Sequence, residues 1–372
     1  MPISPDWAYF DHAAVAPLPR PAVQQMGQWA EQTARQGDVP WTDWQRRCEA
    51  LRERAAQLIN ARADEIALVP NTTFGINLVA DGLDWQSGDN VVMPEGEFPS
   101  NVYPWMALQK QGVEIRQVPR DGDRVDLNRI AETCDSRTRV VTASWIGFST
   151  GYRIDPQALA QVAHDQGAWC FLDAIQGLGV FPLDVQQAGI DFLAADGHKW
   201  MLGPEGAGLF FVRHDRLPEL RPMNVGWNSV AHGNQFSQID FQLRESAARY
   251  EGGTQNVVGM VGLGASLELL AEHGLSCHRS PIADRVLDLT DRICQALAGI
   301  GAEVLSDRYG EARSGIVSFD YHGLTTHETR KQLIQSSRVV LSSRGGRLRV
   351  APHAYNDDND IDRLVEGLKR LA

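Results

Sequence analysis

Of the 35 lysines and arginines in this chain only four are lysines: Lys110, Lys199, Lys331 and Lys369. Three of these lie in polar, helix-like surroundings, where a solvated face explains them. Lys199 instead follows a short apolar run, 192–195, and stands between His198 and Trp200 with Asp196 as its nearby carboxylate. A lysine held in an apolar pocket loses its proton readily and becomes a nucleophile for carbonyl compounds. The alternative is a side chain whose stem crosses the core while its ammonium reaches water. Asp173 closes another continuous apolar run, 169–172, and Gln176 follows three residues later. A carboxylate there needs a cation or donors, which a protonated heterocyclic nitrogen or a helix start would each provide. Thr72 and Thr73 follow the run 66–69 and open a helical pattern. They would either cap that helix or face a phosphate at its N-terminus.

These residues share one kind of position. Short apolar, β-branched runs at 66–69, 90–93, 113–118, 139–145, 168–172, 192–195 and 207–212 read as strands. Helical patterns at 99–111, 127–133 and 156–166 fall between them, the last opened by Asp155 and Pro156. Strands alternating with helices predict an α/β fold whose large domain holds a mostly parallel, seven-stranded sheet. Ligands of such sheets bind beyond the carboxyl ends of the strands, where Thr72, Thr73, Asp173 and Lys199 all stand. Two helices, 21–36 and 41–60, precede the sheet. After the loop ending at Asn256 the pattern changes: helices at 257–272, 282–297, 327–336 and 360–371 enclose strands at 315–321, 339–342 and 347–351. This predicts a large cofactor-binding domain over 15–256 and a smaller α+β domain over 257–372, with residues 1–14 packing near the site.

Composition removes several classes. The chain has 372 residues, 43% apolar and 22% charged, with a formal net charge of −12. That is ordinary globular usage, and the acidity speaks against nucleic acid or an anionic membrane as partner. No apolar run has the length of a membrane span, and the first residues lack the pattern of a secretory leader. The five cysteines are scattered without a C-x-x-C pair, which predicts reduced thiols, no metal site and a cytoplasmic protein. Gly147-Phe148-Ser149-Thr150-Gly151 fits the G-x-S-x-G of a serine hydrolase on Ser149, but the next helix starts only near Pro156, too late for a nucleophile elbow. No G-x-G-x-x-G follows the first strand.

Taken together, a helix-start hydroxyl pair, a strand-end Asp with Gln three residues on, and a strand-end His-Lys are what pyridoxal 5'-phosphate requires. The aldehyde needs a lysine, the ring nitrogen an acid, the phenolic oxygen a donor and the phosphate a helix N-terminus. At these residues the chain resembles the class V aminotransferases, a group of fold type I pyridoxal phosphate enzymes that includes the cysteine desulfurases. The likeness runs from Tyr9-Phe10-Asp11-His12-Ala13-Ala14 through the 58–79 segment, Leu172-Asp173-Ala174-Ile175-Gln176, Gly197-His198-Lys199 and Tyr250–Asn256 to Leu348-Arg349-Val350-Ala351-Pro352-His353. It implies roles. Lys199 would hold the cofactor as an imine and shuttle protons, Asp173 would pair with the ring nitrogen, and Gln176 would donate to the phenolic oxygen. Thr73, with Thr72 as neighbour, and His198 would bind the phosphate, and Phe98 would stack on the ring. Arg349 would clamp the substrate α-carboxylate, with Arg347 as rival and His12 on the substrate side. Thr254 would reach the phosphate of a partner subunit, which implies a homodimer with shared sites.

Two departures bear on the reaction. Desulfurases carry a nucleophilic cysteine shortly before the arginine segment, and Val339–Gly346 contains none. Their substrate-side Asn is replaced by Gly147. The resulting expectation is an amino-acid transaminase, with a carbon–sulfur lyase or an amino-acid epimerase as the alternatives.

Overall fold

The computed structural model describes residues 1–322, 324 and 326–371. A short strand β1 (Ala8–Tyr9) precedes two helices, α1 (Arg20–Gln36) and α2 (Trp41–Leu58). The large sheet is then laid down with its helices: β2 (Ile66–Val69), α3 (Thr72–Gly82), β3 (Asn90–Pro94), α4 (Tyr103–Ala107), β4 (Glu114–Val118), α5 (Leu127–Thr133) and β5 (Thr138–Ser144). There follow α6 (Pro156–Asp165), β6 (Trp169–Asp173), α7 (Val185–Ala188), β7 (Phe192–Asp196) and β8 (Gly208–Val212). Seven strands pair in the order β2-β8-β7-β6-β5-β3-β4, and β8 alone runs antiparallel. Strands β6, β7 and β8 are buried along almost their whole length. Their continuous apolar runs follow from helices covering both faces.

The chain continues through α8 (Val257–Glu272), α9 (Pro281–Gly299), β9 (Glu303–Val304), β10 (Val317–Asp320), α10 (Thr326–Ser337), β11 (Val339–Val340), β12 (Ser342–Arg344), β13 (Arg347–Val350) and α11 (Asp358–Lys369). The second sheet is antiparallel in the order β12-β13-β10-β9, and β1 pairs in parallel with β11. Leu289, Ile293, Leu333, Leu348 and Leu364 form its core, together with Ala8 and Phe10 from the N-terminal segment. The apolar face of α8, Met260, Leu263, Leu267 and Leu270, packs instead in the core of the large sheet. Ile282, Ala283 and Val286 of α9 join the same core, so packing continues across the expected boundary near Asn256.

Two expected elements come out broken. The pattern 99–111 is realised as a 3-10 turn, the short α4 and a second 3-10 turn. Pro104 has no N–H and its ring collides with the carbonyl four residues back, so one helix cannot run through it. The run 339–342 divides at Leu341, because β11 serves β1 while β12 serves β13.

A buried ion pair sets the edge of the sheet from which α3 departs. Arg52 on α2 and Glu251, just before α8, have side chains only 7% and 2% exposed. Glu251 accepts from Leu68 N at 2.9 Å and Arg52 donates to Ile66 O at 2.7 Å, so both grip β2. Removing one partner of a buried pair costs about 3–5 kcal/mol when the other charge is left uncompensated, but Arg52 also donates to the exposed Glu49 at 2.9 and 3.2 Å. Glu251→Ala should therefore lower unfolding free energy by somewhat less, about 2–3 kcal/mol, in a denaturant titration. A loss under about 1 kcal/mol would show that water reaches Arg52.

Candidate active site

The carboxyl ends of the parallel strands converge on Lys199. The turn that carries it is held from behind. Leu202 N donates to Lys199 O at 3.0 Å and Gly203 N to Gly197 O at 2.8 Å. A Cβ on Gly197 would lie 2.6 Å from Ala207 O and 2.7 Å from Leu263 of α8, so only glycine lets the turn seat this deeply. Lys199 is 8% exposed, so its ammonium does not reach out to bulk water. Burial is the largest cause lowering its pKa to about 8; Asp173 and Asp196 oppose it, while Arg349 and Arg344 add to it. Its Nζ stands 5.5 Å from the centre of the Phe98 ring, and Phe98 meets Phe148 edge to face at 5.2 Å.

Asp173 ends β6 with one backbone donor, Ile175 N at 3.1 Å, and no helix follows it. The helix-cap explanation for this acid therefore falls away. Burial and then the charge of Glu97 push its pKa up to about 7, against the opposing pull of Lys199. Gln176 is engaged at both ends of its amide: Trp200 Nε1 donates to its Oε1 at 2.9 Å, and its Nε2 donates to Ala13 O at 3.0 Å. A primary amide carries two N–H groups, so one remains.

At the start of α3 the cap is Asn71, whose side chain accepts from Phe74 N at 2.8 Å. Neither threonine is spent on capping. Thr72 is buried and its Oγ1 accepts from Asp196 N at 2.9 Å, tying the helix start to the end of β7. Thr73 is exposed and donates to Ser100 Oγ at 2.8 Å. His198 Nδ1 lies 2.9 Å from Asp196 Oδ2 but outside hydrogen-bond geometry, and it has no hydrogen-bond partner among the described residues.

The arginines are arranged otherwise than the sequence suggests. Arg349 is 1% exposed and three of its five N–H groups are engaged: Nε to Ser342 Oγ at 2.9 Å, Nη1 to Phe148 O at 2.5 Å and Nη2 to Asp11 Oδ1 at 3.2 Å. Arg347 is bound to Asp123 at 2.6 Å. Arg344, which sequence reasoning passed over, pairs with no carboxylate among the described residues. Its one side-chain hydrogen bond runs to the neighbouring Ser343 O at 2.7 Å, and its charge acts on Lys199. Residue type alone could not tell three arginines within six positions apart; their partners differ, Asp11 for Arg349 and Asp123 for Arg347. His12 is also turned inward. It is fully buried, Nδ1 lies 2.8 Å from Ala351 O and Nε2 2.9 Å from Tyr355 Oη, so its expected place on the substrate side gives way to one in an internal aromatic cluster with Trp200 and His353.

Ser149 sits in a turn closed by the bridge of Ile146 with Arg153, so no nucleophile elbow forms. A side chain at Gly147 would meet Thr150 Oγ1 at 2.4 Å, which leaves no room for the Asn of the desulfurases. Thr254 is exposed in its loop.

The family model for Aminotransferase class-V matches residues 8–364. The chain belongs to this family. Class V aminotransferases use pyridoxal phosphate, and three features fit it here among the described residues: the acid at Asp173 with no cationic partner other than Lys199, the Nδ1 of His198 with no hydrogen-bond partner, and the threonines of α3 that do no capping. A probable cysteine desulfurase of Methanothermobacter thermautotrophicus is 33% identical over all of this chain and 96% of that protein. The crystal structure of the Escherichia coli cysteine desulfurase CsdA superposes with a TM-score of 0.86 at 27% identity, over 99% of this chain and 95% of that one. A C-DES mutant with glycine covalently linked to its cofactor gives a TM-score of 0.91 at 23% identity, over 99% and 97%, a likeness of fold. The architecture is that of fold type I.

The lowered basicity of Lys199 has a direct consequence. In cofactor-free protein, a small aliphatic aldehyde trapped by reduction should label Lys199 half-maximally near pH 8. A lysine in an unstructured reference peptide labelled alongside follows an ordinary value of about 10.4. Mass spectrometry gives both curves, and a Lys199 curve that coincides with the peptide's would contradict its burial.

Proposed function

We propose that this chain is a pyridoxal phosphate-dependent amino-acid aminotransferase. The observation that supports it best is Lys199, buried and lowered to about 8 beside the buried acid Asp173. When bound, the cofactor supplies an electron sink for charge developing at the substrate α-carbon. Lys199 would hold it and then take the proton from that carbon and deliver it on the cofactor side rather than back to the substrate, a task suited to an amine whose pKa lies near working pH. Asp173 would pair with the ring nitrogen, and the remaining N–H of Gln176 would be the donor to the phenolic oxygen. Phe98 would stack on the ring, and Thr73, the α3 N-terminus and His198 would hold the phosphate. Arg344 receives the α-carboxylate, and Arg349 stands behind it as a fixed charge anchored on Asp11.

A carbon–sulfur lyase is the second reading, favoured by the full-length likeness to a protein named probable cysteine desulfurase. Persulfide chemistry has no support in the chain itself. No cysteine lies in residues 338–350, and burial raises the pKa of all five thiols. The exposed Thr254, beside the exposed Val225 at the same cleft, suits a homodimer in which each copy completes the phosphate site of the other.

The test is to supply the loaded protein with single amino acids, with and without keto acids, and to identify products. Transfer of the amino group to a keto acid supports the proposal; pyruvate and ammonia without transfer establish the lyase, and an inverted amino acid an epimerase. Charge-assisted hydrogen bonds contribute ~1.5–3 kcal/mol. Arg344→Ala should thus raise KM roughly 10- to 100-fold with a smaller effect on kcat. An unchanged KM would return the carboxylate to Arg349.

A further inference from the structure

Glu97 is a second carboxylate in the heart of the site, and nothing in the roles assigned above uses it. It lies one residue before Phe98, in the turn that follows β3. Its Oε1 accepts from Ser144 N at 2.8 Å, and its Oε2 accepts from Asn101 Nδ2 at 3.1 Å and from Ser144 Oγ. Asn101 has no choice of orientation, because its Oδ1 already accepts from Trp105 Nε1 at 3.0 Å and Thr142 Oγ1 at 2.9 Å. Ser144 in turn is the residue of β5 in register with Asp173 of β6, and Trp145 N donates to Asp173 O at 2.8 Å. One side chain therefore joins the turn carrying the aromatic ring over Lys199 to the strand end beside Asp173.

We propose that Glu97 is a positioning residue for the cofactor ring, bracing Phe98 against β5 and acting through its charge on the neighbouring Asp173. This rests on the cofactor reading above. The two carboxylates differ in support. Glu97 accepts three hydrogen bonds and Asp173 one, so Glu97 ionises first and its charge then opposes ionisation of Asp173. Other charges face the pair as well. Lys199 approaches from the turn after β7, with Asp196, Arg344 and Arg349 around it, and Arg120 acts on Glu97 from the end of β4. The consequence concerns proton count. Asp173 must be ionised to hold a protonated ring nitrogen, so cofactor affinity falls as pH drops through the range where Asp173 gains a proton.

The experiment measures the dissociation constant of pyridoxal phosphate for cofactor-free protein by tryptophan fluorescence from pH 5 to 9, in wild type, Glu97→Gln and Ser144→Ala. Glu97→Gln keeps the shape and removes the charge, so the acid limb should move to lower pH by about one unit. Ser144→Ala keeps the carboxylate but takes away a donor, so it should move the limb in the same direction by less. Lys199 and the cofactor phosphate titrate in all three proteins and cancel in the comparison. Weaker binding with an unmoved limb in both variants would overturn the role of charge and leave a brace alone. Should Glu97→Gln fail to fold, as judged by circular dichroism, the limb of Ser144→Ala decides. If wild type binds no pyridoxal phosphate, the cofactor reading itself fails, a result distinct from any of these.

Discussion

Burying the Lys199 amine at the carboxyl end of a parallel sheet is the constraint on which the site depends. An isolated charge in such a place is expensive, and the protein meets the cost by surrounding the amine with fixed charges of both signs. Asp173 and Asp196 favour the ammonium, while Arg349 and Arg344 oppose it. The balance leaves the ammonium as the main form at physiological pH, with an appreciable share of neutral amine. That state suits a residue that must be a nucleophile toward an aldehyde at one moment and a proton carrier at the next.

Those charges come from distant parts of the chain, so the packing of the two units is itself part of the chemistry. The N-terminal segment does much of the joining. Asp11 pairs with Arg349 of β13, Ala13 O accepts from Gln176, and Ala16 N donates to His198 O at 2.7 Å. Strand β1 meanwhile pairs with β11 in the small unit. A short stretch of backbone thus touches the expected ring-oxygen donor, the expected phosphate ligand and the inner arginine. Any shift of the small unit relative to the sheet would be felt at all three.

Much of this was legible in the sequence, and the reason is local. Apolar runs fix which strands are buried on both faces, and strand ends fix where ligands go, so Lys199, Asp173, Gln176 and the α3 start could be found from short windows. Helix α8 and the number of strands in the large sheet followed from the same alternation, whereas their order did not. What stayed hidden depends on partners far along the chain. Arg344, Arg347 and Arg349 look alike until Asp123 and Asp11 claim two of them. His12 reads as an active-site residue by motif, yet Tyr355 and Ala351 turn it inward. Glu97 looks like a loop acid until Ser144 and Asn101 are seen to hold it.

The distribution of arginine partners also bears on how a substrate would change the site. Arg349 is neutralised in part by Asp11 in the empty protein, whereas Arg344 faces Lys199 with no carboxylate of its own among the described residues. On the reading proposed above, a substrate carboxylate seated on Arg344 supplies the missing negative charge. It thereby removes one of the influences that hold the Lys199 pKa down. The amine becomes more basic only once a substrate is in place to give it a proton, so the base is strongest when there is work for it and weakest when only water is present. Arg349 also lowers the basicity of Lys199, and more strongly, but Asp11 shares its charge before anything binds.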